Sequence, residues 1–221
     1  MRNTFLLALA ISILSSANSQ TRFGIKIGAL VSNRSGYNNN LWPDVKPLTT
    51  FTGSVFSNIL VGNLFSLQPS IGYQPKGNKL GGLVFEDQLG NDIGKGNMSF
   101  RFDYLQLTIP FNYLVSGNEK IKLFTGLGPY FAYAIGGRET WKNVSGTPSN
   151  EPKKRKMPFG DNGSKRFDMG LTLLLSAQIK RNWMLSISCD AGFANTNSPG
   201  QIESHNLAAG LTIGYLLNKK D

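Results

Sequence analysis

Apolar and polar residues alternate with a period of two along most of the chain. In residues 102–115, FDYLQLTIPFNYLV, every odd position from 105 onward is apolar, and Gln106, Thr108 and Asn112 lie between them. This alternation is typical of a β-strand with two different faces. Eight such segments occur, and none shows a convincing helical period. They are residues 22–32, 49–61, 65–76, 100–115, 120–136, 165–180, 183–194 and 205–217.

The connections between these segments alternate between long and short. The long ones cover residues 33–48, 77–99, 137–164 and 195–204, and the short ones cover 62–63, 116–119 and 181–182. Short turns at one end and long loops at the other are the layout of an outer-membrane β-barrel. We therefore predict an all-β fold, an eight-stranded antiparallel up-and-down transmembrane barrel with short periplasmic turns and long extracellular loops.

The odd positions carry the apolar face in every segment, and its aromatic residues concentrate near both ends. These are Phe23, Phe65, Tyr113, Trp183 and Tyr215 near the short turns, and Tyr73, Tyr133, Phe167 and Phe193 near the long loops. Two aromatic girdles on an outward apolar face are typical of a membrane barrel. A soluble β-sandwich or a lipocalin-like barrel is the alternative, but it needs no girdles. Segment 49–61 fits least well, because Phe56 lies on its polar side.

The even positions are expected to point into the lumen. Eight strands enclose an interior just wide enough to be filled with side chains, so no open solute pore is predicted. The lumenal polar candidates are Lys26, Gln68, Gln106, Asn112, Lys122, Asp168, Gln178 and Asp190. Isolated charges there would be costly, so we expect them to pair or to hold water. A structural plug is the expected role, with transport or catalysis as the alternative.

Three predicted strands contain a proline: Pro69, Pro110 and Pro129. Proline cannot donate a ladder hydrogen bond and is usually confined to sheet edges, but a closed barrel has no edge. We therefore predict a local bulge or a missing hydrogen bond beside each of them.

The N-terminus has the pattern of a secretory signal peptide. Arg2 precedes the apolar run FLLALAISIL at 5–14, and the small residues SSANS follow. The run is too short to span a bilayer as a helix. We predict a signal peptide over 1–19, cleaved after Ser19, and a barrel domain over 20–221. A buried N-terminal helix is the alternative.

Composition argues against most catalytic chemistry. Cys189 is the single cysteine and His205 the single histidine among 221 residues, so neither a disulfide framework nor a typical zinc site is expected. Ser204 precedes His205 directly, and adjacent side chains on a strand point to opposite faces. We predict a non-enzymatic protein without catalytic, cofactor or metal residues, and a barrel enzyme is the least favoured alternative.

The third long connection is basic, in a chain with a formal net charge of +10. Lys153, Lys154, Arg155 and Lys156 are consecutive there and are candidates for binding anions. Behind a signal peptide, lipopolysaccharide phosphates are more natural ligands than nucleic acid. The expected partners are outer-membrane lipid, lipopolysaccharide phosphates, and secretion or surface proteins. A simply solvated loop is the alternative.

The segments FSLQPSIGYQPKG, YLQLTIPFNYLV and FTGLGPYFAYAIGG resemble an outer-membrane β-barrel family of Bacteroidota, described as PorT-like or "porin family" proteins. The resemblance covers about 23–217 and implies location in the cell outer membrane. It also implies an accessory role in protein secretion as one alternative function, beside a narrow channel for small solutes or ions. Ser70 and Gln106 stand where the family commonly has glutamates, and the chain ends in YLLNKKD rather than an aromatic residue.

Overall fold

The computed structural model describes residues 21–36, 44–86, 92–142, 153–160, 163–197 and 203–217. The predicted signal peptide at 1–19 lies outside these residues. In these ranges no helix is long and apolar enough to cross a membrane. The described residues form eleven strands: β1 (Thr21–Arg34), β2 (Asp44–Val61), β3 (Phe65–Leu67), β4 (Ser70–Glu86), β5 (Asp92–Thr108), β6 (Phe111–Gly117), β7 (Ile121–Lys142), β8 (Lys153–Lys156), β9 (Phe167–Ile179), β10 (Trp183–Gly192) and β11 (Asn206–Leu216).

The strands form one antiparallel sheet that closes on itself. β1 pairs with β2 on one side and with β11 on the other, so the first and last strands meet. We call each complete crossing of the barrel wall a stave. Strands β3 and β4 lie end to end and form one stave, and so do β5 and β6, because each pair is interrupted only by a short break that contains a proline. The described part therefore has eight staves plus the short strand β8, which pairs with β7. The predicted antiparallel up-and-down barrel is confirmed.

Two predicted loops contain strand. Most of the predicted connection 77–99 belongs to the β4–β5 ladder, which continues to the pair Glu86 and Asp92. The glycine-rich stretch GNKLGG hid this extension, because glycine contributes no side chain to the alternation. Likewise KKRK, predicted as loop, is strand β8. Backbone hydrogen bonding, rather than side-chain pattern, extends the barrel here beyond its apolar belt.

The two faces of the wall differ as the odd and even positions predict. Outward residues such as Ile27, Val55 and Leu185 are 46–64% exposed, whereas inward residues such as Phe102 and Tyr130 are completely buried. In β7, Ala134 pairs with Tyr104 but Gly136 pairs with Asp103, so one extra residue forms a bulge at 134–136. From Gly136 onward the even positions of β7, instead of the odd ones, therefore face outward.

The three prolines leave one continuous line of incomplete hydrogen bonding across the wall. Pro69 accepts from the Ser57 N–H at 2.9 Å, Pro110 accepts from Gln68 at 3.0 Å, and Pro129 accepts from Ile109 at 3.0 Å. Each proline cannot return a bond, so one of two ladder bonds is lost in each pair. The predicted loss of a hydrogen bond beside each proline is therefore present. Strand β7 continues through Pro129, and the break in the strand lies instead in the neighbouring stave, between β5 and β6.

Candidate functional site

The barrel interior is the candidate site, and it is filled in layers. From the short-turn end, these are a basic mouth, a lower apolar layer, a polar centre and an upper apolar layer. The mouth is a cavity of about 520 Å³ whose lining includes Arg22, Lys120, Lys122 and Arg181.

The lower apolar layer consists of Phe56, Met184 and Leu216, which contact one another and are at most 3% exposed. Phe56 was the exception to the alternation of segment 49–61, and the structure gives the reason. Its ring points inward from β2 and fills the lumen by packing against Met184 and Leu216.

The polar centre is built around a buried ion pair. Lys76 Nζ lies 3.1 Å from Asp190 Oδ2 and 3.8 Å from Asp168 Oδ2, and both side chains of each pair are almost fully buried. The same ammonium lies 4.0 Å from the centroid of the Tyr130 ring. Asp168 Oδ2 also accepts from the Tyr130 hydroxyl at 3.1 Å and from Asn206 Nδ2 at 2.9 Å. The charges are therefore held by several partners from across the barrel.

Asp190 is bound still more completely. It accepts from Thr172 Oγ1 at 2.8 Å and from Gln106 Nε2 at 3.0 Å, in addition to its contact with Lys76. The sequence analysis named Asp168, Asp190 and Gln106 but missed Lys76, Tyr130 and Asn206. The even number of Lys76 predicts an inward side chain. Because Lys76 is the last residue of the predicted strand 65–76, however, it was not included among the lumenal candidates.

The upper apolar layer combines barrel residues with part of the third long connection. Its buried members are Phe102, Tyr104, Tyr130, Ala132, Ala134 and Met157, and Phe100 and Phe159 pack against them. Met157 and Phe159 follow β8 in the sequence and pack against inward residues of the barrel, so this part of the connection covers the lumen. Phe159 meets Phe102 edge-on with 6.1 Å between ring centroids, and the Arg166 guanidinium lies 4.3 Å from its ring.

The predicted lumenal residues divide between this filling and the mouth. Lys26, Gln68, Gln106, Asn112, Asp168 and Asp190 are buried inside the barrel. Lys122 and Gln178 also point inward but line the mouth, where Lys122 is exposed. The structure therefore does not bring these two residues into the buried filling, because each lies at the short-turn end of its strand.

The aromatic residues proposed for the girdles lie on the outer surface. Phe23, Phe65, Tyr73, Tyr113, Tyr133, Phe167, Trp183 and Phe193 are 36–63% exposed. Tyr215 is half-buried because it packs edge-on against Trp183, with 5.1 Å between ring centroids.

Strand pairing separates the four basic loop residues onto two faces. In β8, Lys154 and Lys156 share one face, and Lys153 and Arg155 share the other. Lys156 pairs with Arg138, which in turn pairs with Arg101. Directly opposed residues project from the same face of a sheet, so these three cations form one row.

This basic row, Arg101–Arg138–Lys156, lies on the outer surface beside an aromatic residue of the long-loop girdle. Arg101 Nη2 donates to the Tyr73 hydroxyl at 2.6 Å, and Arg101 Nε donates to Asp103 Oδ1 at 2.8 Å. Arg138 and Lys156 are exposed. Like charges placed directly opposite each other repel, and the row concentrates positive charge on this part of the outer surface.

Ser204 and His205 do not form a catalytic pair. Ser204 is completely buried, and His205 Nδ1 lies 3.1 Å from the backbone oxygen of Ala194. The imidazole is therefore directed to the backbone rather than to the serine hydroxyl.

The chain matches a known protein family over most of its length. A family described as "Outer membrane protein beta-barrel domain" matches residues 15–198. No curated protein matches the chain. Among solved structures, the Yersinia pestis attachment invasion locus protein Ail, crystallised with sucrose octasulfate, is 15% identical, with 89% of this chain and 99% of that chain covered and a TM-score of 0.41. OprG of Pseudomonas aeruginosa is 10% identical, with 90% and 96% covered and a TM-score of 0.42.

Proposed function

Because the chain belongs to the outer membrane protein β-barrel domain family and is an outer-membrane protein, we propose that it is a non-enzymatic barrel with a sealed lumen that presents its long loops outside the cell. The observation that carries this proposal is the layered interior. Two apolar layers, formed around Phe56 and Phe102, lie on either side of the ion pair between Lys76 and Asp190. Such a filling supports a lumen without a continuous aqueous path.

The sealed lumen is tested by conductance in planar bilayers. We expect no steady single-channel opening from the native protein, because a hydrated ion would have to cross both apolar layers. The double variant F56A/F102A removes a ring from each layer and is expected to give openings. F51A in the same strand is the matched control, because Phe51 is 84% exposed on the outer surface.

A heat-dependent gel shift in SDS must first show that each variant is folded. Steady opening of the folded native protein would overturn the sealed lumen and support the narrow channel instead. The accessory role in secretion implied by the family resemblance is a separate proposal, which loss of secreted proteins on deletion of the gene would support.

Lipopolysaccharide phosphates are the proposed ligands of the basic row. Among the described residues, the row places three cations, but only the Asp103 carboxylate, along one line of the outer surface. Arginine and lysine bind phosphate oxygens through charge-assisted hydrogen bonds. The adjacent Tyr73 belongs to the proposed girdle, so the row lies where lipid headgroups begin. Within β8, we therefore assign phosphate contact to Lys154 and Lys156.

Paired substitutions in β8 and β7 test this assignment. The variant R138Q/K156Q should weaken lipopolysaccharide binding about tenfold, since two exposed ion pairs contribute about 0.2–1 kcal/mol each. The control K153Q/R155Q removes the same charge from the other face and should change binding less than twofold. Binding to vesicles containing lipopolysaccharide is measured at two salt concentrations, because screening weakens exposed pairs. Equal losses in both variants would contradict a specific row and indicate general charge attraction.

A further inference from the structure

Lys26 is a buried cation without a carboxylate partner. It is 8% exposed, and its Nζ donates to Gln68 Oε1 at 2.7 Å. The same Nζ lies 4.4 Å from the centroid of the Phe56 ring. Among the described residues, no carboxylate lies within 4 Å of this ammonium. An amide oxygen and an aromatic face solvate the charge but do not neutralise it.

Lys76 shows the contrast. Both carboxylates of the polar centre, Asp168 and Asp190, lie within 4 Å of Lys76 Nζ. Asp190 also accepts hydrogen bonds from Thr172 and Gln106. The negative charge of the interior is therefore concentrated around one of the two buried lysines. A buried charge is costly unless it is paired, so a counter-charge of another kind would stabilise Lys26 in its charged form.

A cavity of about 50 Å³ lies beside Lys26, between the lower apolar layer and the ion pair. A single water needs on the order of 10–15 Å³ of such space, so the cavity can hold more than one small species. Hydroxyl groups that can act as donors dominate its lining, with Asp190 at one side. They include Ser54, Thr108, Ser188 and Thr212, whereas the Thr52 hydroxyl donates to the backbone oxygen of Tyr73.

We propose that Lys26 and these hydroxyl groups bind a small monovalent anion with the chemistry of chloride. An ammonium beside hydroxyl groups suits an anion, because both kinds of group can donate a hydrogen bond to it. Water could accept the same hydrogen bond but would leave the lysine charge uncompensated in a medium of low dielectric constant. The cavity volume excludes a lipid headgroup or a polyanion.

The mouth of the barrel supports this assignment. It is lined by Arg22, Lys120, Lys122 and Arg181 against one acidic residue, Glu119. This excess of positive charge raises the local concentration of anions next to the lower apolar layer. Local opening of that layer gives an anion access to Lys26. The site goes beyond the sealed-barrel proposal, since binding inside the filling requires no conduction through it.

Bromide, which scatters X-rays anomalously, is the probe for this site. Crystals of the full barrel grown in sodium bromide should show an anomalous peak within hydrogen-bonding distance of Lys26 Nζ. The peak should be lost in K26Q, which keeps a polar side chain, and retained in K122Q, because Lys122 lines the mouth instead. Ordered water without anomalous signal at Nζ would overturn the proposal. The result for the native protein decides the question even if K26Q does not fold.

Unfolding in detergent supplies a second measurement. At bromide concentrations ten times the dissociation constant, the unfolding equilibrium constant should fall about elevenfold. The reference is K26Q in the same series of bromide concentrations, because any general effect of the salt on stability is shared by both proteins. K26Q should lack the elevenfold change, and K122Q should show it. Identical salt responses of the native protein and K26Q would contradict the anion site but leave the sealed lumen untouched, since that proposal is tested by conductance.

Discussion

Substitution of Asp190 by alanine is expected to destabilise the barrel by about 3–5 kcal/mol, the usual cost of removing one partner from a buried ion pair. Asp190 accepts hydrogen bonds from Thr172 and Gln106 and lies 3.1 Å from the completely buried Lys76 Nζ. Its loss leaves two neutral donors and an ammonium with fewer partners, far from water. The free energy of unfolding is measured by denaturant titration in detergent or lipid, followed by tryptophan fluorescence.

The control for D190A is the exposed ion pair of β2. Asp44 lies 2.7 Å from Lys46 Nζ, but the two side chains are 43% and 65% exposed. Exposed pairs contribute about 0–1 kcal/mol, so D44A should change stability by less than about 1 kcal/mol. A double-mutant cycle of D190A with K76M should show coupling, because the two side chains share one network. Equal effects of D190A and D44A would show that water reaches the polar centre.

Substitution of Gly170 by alanine is expected to destabilise the barrel at or beyond the upper end of the about 1–3 kcal/mol typical of overpacking. A Cβ atom at Gly170 would lie 2.0 Å from the backbone oxygen of Ala191 and 2.7 Å from Cε1 of Tyr130. The first neighbour is backbone of the adjacent strand β10, so a side-chain rotation cannot relieve the clash. We expect a lower yield of refolded barrel and a lower unfolding midpoint.

Gly53 provides the matched control for this position. It also lies within a strand, but a Cβ atom there would come no closer than 3.8 Å to any neighbour. G53A should therefore be neutral or slightly stabilising. Alanine lowers the entropy of the unfolded chain, which can raise the free energy of unfolding by about 0.4–1 kcal/mol. If G170A refolds as efficiently as G53A, the two staves can separate without loss, and the close packing around Tyr130 does not stabilise the barrel.

Much of the barrel could be predicted because its pattern is local. The alternation of odd and even residues sets which side of the wall each side chain occupies, and the lengths of connections set which ends are adjacent. The inward position of Asp168 and Asp190 followed from parity alone. Where glycine replaced the alternating residues, as in 77–82, the same reasoning ended β4 too early.

The contacts inside the lumen could not be predicted in this way. Lys76 and Asp190 are 114 positions apart and meet only because the stagger of the staves brings them to the same height in the barrel. The position of Met157 and Phe159 over the lumen likewise depends on β8 pairing with β7. The basic run KKRK was predicted as four anion-binding candidates in a loop, but the strand register divides it into two faces.

The pattern of residues alone predicted a closed wall whose outer face is apolar and whose inner face carries the polar strand positions. A period of two is encoded residue by residue, and a lipid-facing barrel is the arrangement that satisfies both its apolar belt and its backbone hydrogen bonds. Which inward side chains meet, and that no carboxylate among the described residues lies within 4 Å of Lys26 Nζ, became visible only in the folded barrel. These contacts depend on strand stagger and on the position of β8, and neither leaves a mark in the local alternation of residues.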